Sequence, residues 1–390
     1  MITPQEISYA LTCRAIETPF EQSDAKEPDD KKITLRQLTP VKLIEMVKKL
    51  YISLNYDKDY KNISDSDIKE QFPEINAINI KNLPENCYAI SLNSPQAKKI
   101  KIAIGNAKLE KLDFKYALIG KPNRSYERYQ QFYQLYKSAL QEKADMLILP
   151  ECYLPWEWVP DVTRLCASNG MALITGIEPV VSQHKKEVYN LTAVILPYKK
   201  DDYKFAHVIY HHKTHYSPEE KRSIQGYNLK FCEGNDYHLF RWKDLWFSVY
   251  CCFELASIKD RALFQTLADL TVAVEWNKDT AYYSNIIESL CRDLHCYCVQ
   301  VNSSDYGDSR IIKPSKSVEK DILKTKGGLN HTILVGEIDV EALRDFQRKE
   351  YELQRDDSRF KPTPPKFEQD IVAHKQNGTL LEYLVKFQEV

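Results

Sequence analysis

The chain has 390 residues, 43% of them apolar, enough for a large buried core and an appended segment. Its 54 Lys and Arg against 55 Asp and Glu leave a net charge of −1. That balance supplies no global field to draw in nucleic acid or an anionic membrane surface. Ten cysteines, no basic-then-apolar leader over residues 1–10 and no apolar run near the ~18 residues that span a bilayer point to free thiols in the cytoplasm, not to a disulfide framework.

In chain order, residues 1–98 read as a helical N-terminal extension or linker. Leu38, Val41, Leu43, Ile44, Val47 and Leu50 recur at helical spacing, between charge-rich stretches at 21–32 and 57–69. Residues 99–350 alternate strand and helix: strands near 102–104, 146–149, 172–175, 191–196, 206–210, 246–251, 270–274, 296–301 and 331–335. Helices are predicted at 126–143, 162–168, 261–267, 283–294 and 340–351. Such alternation predicts an α/β layered domain, and the continuous apolar runs suit strands covered on both faces. Residues 351–390 form a C-terminal extension, broken at Lys361-Pro-Thr-Pro-Pro365 and closing on a helix over 380–387.

Chemistry collects where strands finish. The run Met146-Leu-Ile-Leu-Pro-Glu151 ends on a carboxylate, and Ala206-His-Val-Ile-Tyr-His-His-Lys213 ends on an ammonium. Trp246-Phe-Ser-Val-Tyr-Cys-Cys252-Phe-Glu254 ends on a thiol pair and an acid. A free thiol is mostly protonated at neutral pH. A neighbouring carboxylate can act as its base, and a fixed cation can stabilise an oxyanion, so Glu, Lys and Cys together make a nucleophilic site without a metal.

Pro150-Glu151, Lys213 and Cys252-Phe253-Glu254, in that order, resemble the three signatures of the nitrilase, or carbon–nitrogen hydrolase, superfamily. The likeness runs from about residue 101 to 344. It is supported by Ala144-Asp145, Phe231-Cys-Glu-Gly234, Arg292, Val301-Asn302, Gly307-Asp-Ser-Arg-Ile-Ile-Lys-Pro314 and Gly336-Glu-Ile-Asp339. The resemblance implies a four-layer αββα sandwich with a small, mainly helical N-terminal extension. It implies Glu151 as base, Cys252 as nucleophile and Lys213 as oxyanion stabiliser in hydrolysis of a small-molecule amide, nitrile or carbamoyl substrate through an acyl enzyme. It also implies a homo-oligomer. Many members add a second glutamate after the lysine; Ser217-Pro-Glu219-Glu220 offers two, and spacing from Pro218 favours Glu220. Glu219, Phe253, Trp276 and Asn277 are assigned to substrate contact, and no cofactor or metal is called for.

Two departures stand out. Cys251 occupies a position where members usually carry Ile or Val, and Ala256-Ser-Ile-Lys-Asp260 replaces the usual Pro-Glu after the thiol turn. Because side chains alternate along a strand, Cys251 is expected in the core once Cys252 faces the pocket. Cys296 and Cys298, on one side of a strand, read as core, and Asn302 and Arg292 as structural. His211, His212 and His215 lack a zinc spacing and read as packing or substrate contact.

A narrower set, Glu275-Trp-Asn-Lys-Asp279, Leu290-Cys-Arg-Asp-Leu-His-Cys296 and Asn302-Ser-Ser-Asp-Tyr-Gly-Asp308, resembles the nitrilase-type domain fused to some bacterial anti-phage reverse transcriptases. No Tyr-x-Asp-Asp polymerase signature is present, so a reverse transcriptase would be a partner or a fused domain elsewhere. The alternative reading is a non-catalytic oligomerisation or binding module of the same fold.

Overall fold

Strands that are apolar on both faces need cover on both sides. In the computed structural model, which describes residues 2–17, 33–56, 58–80 and 82–386, that cover comes from stacking two sheets between helices. One sheet has six strands in the order Thr332–Asp339, Lys99–Asn106, Met146–Ile148, Ala172–Gly176, Leu191–Lys200 and Tyr203–His212. The other has eight: Ile75–Asn79, Cys87–Leu92, Tyr237–Trp242, Leu245–Cys251, Leu270–Val274, Tyr297–Val301, Arg310–Ile312 and Asp321–Lys324.

The period-2 alternation of each strand sorts its residues into layers. Ile102, Ile104 and Ile148 meet Phe247, Val249 and Val272 between the sheets. The alternate residues Ala103, Leu147 and Leu173 pack against Phe132, Tyr136 and Val162 of the helices Tyr126–Gln141 and Val159–Asn169. On the opposite side Trp246, Tyr250 and Ala273 pack against Ile287, Leu290 and Ile371 of Thr280–Leu294 and Gln369–Gln376. The result is an αββα sandwich, the fold class expected from sequence.

Several elements differ from the sequence reading. The N-terminal stretch does carry helices, Pro4–Glu17 and Pro40–Tyr56, but it also adds the strands Ile75–Asn79 and Cys87–Leu92. These pair antiparallel from Ile75 opposite Leu92, and Cys87–Leu92 then runs parallel to Tyr237–Trp242. Leu43, Ile44, Val47 and Tyr51 enter the core between the sheets, and Ser8 Oγ donates to the Val208 carbonyl at 3.0 Å. The helix expected at 261–267 reduces to Ile258–Arg261. Phe264 and Leu267 are buried, but Thr266 takes a positive φ of 66° and the chain turns into the next strand. The helix expected at 340–351 divides into Val340–Gln347 and Tyr351–Asp356. The last helix spans Leu380–Lys386; residue 387 and the charge-rich stretch 21–32 lie outside the described residues. Among the described residues, no helix is long and apolar enough to cross a membrane.

Candidate active site

Three strand ends deliver polar groups to one place. After Met146–Ile148 the turn Pro150-Glu151 buries its carboxylate, which is 3% exposed. Gly176 lies directly behind this turn: a Cβ there would stand 2.3 Å from the Cys152 nitrogen and 2.4 Å from the Glu151 Cα, so only glycine allows the approach. Lys213 follows the long strand Tyr203–His212 and is 1% exposed. Its N–H donates to Asn190 O at 3.0 Å and its carbonyl accepts from Gly234 N at 2.8 Å. The ammonium Nζ sits 2.7 Å from Glu151 Oε1 and 2.7 Å from Glu220 Oε2. Glu220 reaches it from the first turn of Pro218–Gln225, a helix capped by Ser217 Oγ.

Cys252 follows Leu245–Cys251 with φ at +47°, a left-handed conformation costly for a residue with a Cβ. The buried Glu254 carboxylate holds this turn against the lysine loop. It accepts from Cys251 N at 2.7 Å, from Thr214 N at 2.6 Å and from His211 Nε2 at 2.9 Å. Burial works to neutralise Glu254, but His211 and the two backbone N–H groups outweigh it and hold the carboxyl below its ordinary range.

Cys252, Glu151, Lys213 and Glu220 line one cavity of about 590 Å³. Of the residues assigned to substrate contact, Phe253, Trp276 and Asn277 line it as well. Trp276 packs on Phe114 with ring centroids 5.4 Å apart. Glu219 stands at the exposed mouth, 3.5 Å from Lys278; of the two adjacent glutamates, Glu220 is the one that touches Lys213.

Cys251 requires a correction. It is buried at 1% exposure, as expected, but it is not merely core: its Sγ donates to Glu151 Oε1 at 3.2 Å. The left-handed backbone at Cys252 ends the strand's alternation, so neighbouring thiols both approach the same carboxylate region.

Sequence reasoning missed Asn190, whose Nδ2 donates to Glu151 Oε1 and to Glu220 Oε1, each at 2.8 Å. The available signal was its place immediately before a strand that pairs with the lysine strand, Leu191 opposite His212. Asn302 ties the cavity mouth, donating to Asn277 O at 2.8 Å and accepting from Asn277 N at 2.9 Å. Of the three histidines, His211 bonds Glu254, His212 bonds the Cys232 carbonyl and His215 pairs with Asp260. Arg292 is exposed beside Asp293. Among the described residues, no group of three or more His, Cys, Asp or Glu side chains is placed to hold a metal ion.

Burial and the Glu151 charge push the Cys252 thiol up, with Lys213 pulling the other way, so the sulfur rests protonated. Burial opposes the Lys213 charge, but Glu151 and Glu220 outweigh it and raise the ammonium. Glu220 is raised by burial and by Glu151 against the pull of Lys213. A protonated thiol beside a carboxylate and a fixed cation is equipped for base-assisted nucleophilic attack.

No protein-family profile matches the chain, and no curated protein matches it by sequence. Its fold is similar to that of Saccharomyces cerevisiae Nit3, a member of branch 10 of the nitrilase superfamily, at 16% identity and a TM-score of 0.49, over 66% of this chain and 96% of that one. It is also similar to an amidase from Nesterenkonia sp., at 14% identity and a TM-score of 0.45, over 68% of this chain and 98% of that one.

Proposed function

We propose that the chain is a cysteine-dependent hydrolase of non-peptide carbon–nitrogen bonds in small amides, nitriles or carbamoyl compounds. The observation that carries this reading is that Cys252 shares a cavity wall with Glu151 and with a buried Lys213 whose Nζ lies 2.7 Å from that carboxylate. Asn190, Lys213 and Cys251 all donate to Glu151 Oε1, which leaves Oε2 to receive the Cys252 proton.

For an amide, Sγ of Cys252 attacks the carbonyl carbon as its proton passes to Glu151. The oxygen takes up the negative charge, stabilised by the Lys213 ammonium and the N–H of Phe253. Removing one such donor typically costs about 10²–10³ in rate. The tetrahedral adduct collapses, the C–N bond breaks, and ammonia or an amine departs with the proton returned by Glu151. Water, deprotonated by Glu151, attacks the thioester carbonyl, the C–S bond breaks, and the acid leaves as the thiol is restored. Glu220 and Asn190 keep Glu151 and Lys213 in register.

The test is Cys252→Ala against Cys251→Ala. Ammonia release from a responsive amide is expected to fall roughly a thousandfold or more in the first variant. In the second it should survive in part, and mass spectrometry of the wild type is expected to find an acyl adduct on Cys252. Full turnover by Cys252→Ala would overturn the proposal. Support for a narrower assignment, an effector module of an anti-phage reverse-transcriptase system, comes from the sequence segments 275–279, 290–296 and 302–308 alone.

A further inference from the structure

The cavity is far larger than a primary amide group needs. At about 590 Å³ it falls in the ~300–1,000 Å³ range that encloses drug-sized ligands. Beyond the reacting groups its walls are aromatic: Phe114, Phe253, Trp276, Tyr283 and Tyr306.

Charge is distributed unevenly along its depth. At the inner end one ammonium, Lys213, is shared between the carboxylates of Glu151 and Glu220. A second anionic group there would meet two carboxylates for one cation. At the mouth the balance reverses. Helix Lys111–Leu118 presents Lys111, Phe114 and Lys115, at spacings of three and four residues, to the cavity, and helix Pro218–Gln225 presents Arg222. Among the described residues no carboxylate lies within ion-pair reach of Lys111, Lys115 or Arg222, and all three are exposed. The acidic groups at the mouth are already engaged. Glu219 pairs with Lys278, and Asp279 caps the helix Thr280–Leu294 by accepting from Tyr282 N.

Resting on the hydrolase reading of this same site, we propose that the substrate is an anionic amide: an uncharged carboxamide at one end, a flat apolar body, and a carboxylate or phosphate at the other end held by Lys111, Lys115 and Arg222. The polarity of the cavity sets the orientation. The neutral amide passes the aromatic walls to Cys252, and the anion stays at the half-solvated rim, where lysines and arginine need not be desolvated to pair with it.

The experiment titrates full-length Cys252→Ala protein, or Cys252→Ser if the first does not fold, with three primary amides sharing one phenyl body. They end in a methyl group, a carboxylate or a phosphate, and tryptophan fluorescence reports Kd. At low salt, one or both charged amides are expected to bind roughly tenfold or more tightly than the methyl compound, with the advantage shrinking in molar salt. Comparison of the two charged compounds distinguishes carboxylate from phosphate. Adding Lys111→Glu and Lys115→Glu is expected to bring the charged-to-neutral ratio close to unity. Equal affinity for all three amides, failure of both charged amides to bind, or a ratio that survives the double charge reversal overturns the inference. Turnover of the methyl amide by the wild-type protein reports separately on the hydrolase proposal, so each can fail without the other.

Discussion

Glu275 follows the strand Leu270–Val274 and is wholly buried, with Gln300 Nε2 donating to Oε2 at 2.9 Å and Oε1 lacking a partner among the described residues. Burial, aided by the Glu151 charge and resisted by Gln300, pushes its carboxyl up to about 8. Because the folded value lies above the ordinary carboxylate range, folding takes up a proton between the two. Stability is therefore full below that range and declines as pH rises through about 8. Glu275→Gln keeps the shape without the charge, and is expected to raise the unfolding free energy in urea more at pH 8 than at pH 5, by a difference on the order of a few kcal/mol. Equal shifts at both pH values would contradict this. Among the site residues, Glu151, Lys213 and Cys252 were legible because each follows an apolar strand and carries a group whose reactivity is evident alone. Asn190 was not, since an amide announces no chemistry until the two carboxylates it bridges are in place. The Cys251 contact was hidden by a backbone dihedral at the next residue, which no alternation rule supplies.

Among the elements, the junction of thiol turn and lysine loop rests on Glu254, which no reading of its residue type alone would single out. Glu254→Gln replaces one carboxylate oxygen by an NH₂ that cannot accept from the N–H of Cys251 or Thr214. An unpaired buried N–H costs about 1–3 kcal/mol. Urea unfolding is expected to register a loss of that size, and on the proposed reaction the variant's kcat is expected to fall with little change in KM, because the displaced groups are those to which that reaction is assigned. A variant as stable as the parent would show that the carboxylate is dispensable. Strands of the sandwich centre were legible from continuous apolar runs. The pair Ile75–Asn79 and Cys87–Leu92 escapes such a reading because its strands are only five and six residues long. The helix expected at 261–267 failed for the converse reason: its apolar spacing serves burial of irregular turns.

For the molecule as a whole, a buried ionic cluster fastens the C-terminal helices to the eight-stranded sheet. Asp269 accepts from Lys375 Nζ at 2.8 Å and Arg344 at 2.6 Å, and Arg344 also meets Asp244 at 2.7 Å. Burial works to neutralise Asp269, but Arg344 and Lys375 hold its carboxyl below the ordinary range. Its stabilisation is thus present above that range and disappears as pH falls through the depressed value. Asp269→Asn leaves the buried Lys375 without its anion and Arg344 with Asp244 alone, and is expected to cost about 3–5 kcal/mol by urea unfolding at pH 7. The gap from the parent should narrow in acid; a gap independent of pH would exclude an ionic origin. The layered architecture could be read from strand alternation, whereas this fastening could not. Asp269 and Lys375 stand 106 positions apart, and each alone reads as an ordinary surface charge.

The placement of Ile75–Asn79 and Cys87–Leu92 bears on any shortened form of the protein. A fragment beginning at residue 99 would leave Tyr237–Trp242 as an outermost strand, its parallel partner gone and its Phe240 and Trp242 next to a vacated flank. A row of unsatisfied main-chain groups beside bulky apolar side chains is a template for adhesion to a neighbouring molecule. Whatever else the first hundred residues do, they act as a built-in seam guard for the eight-stranded sheet.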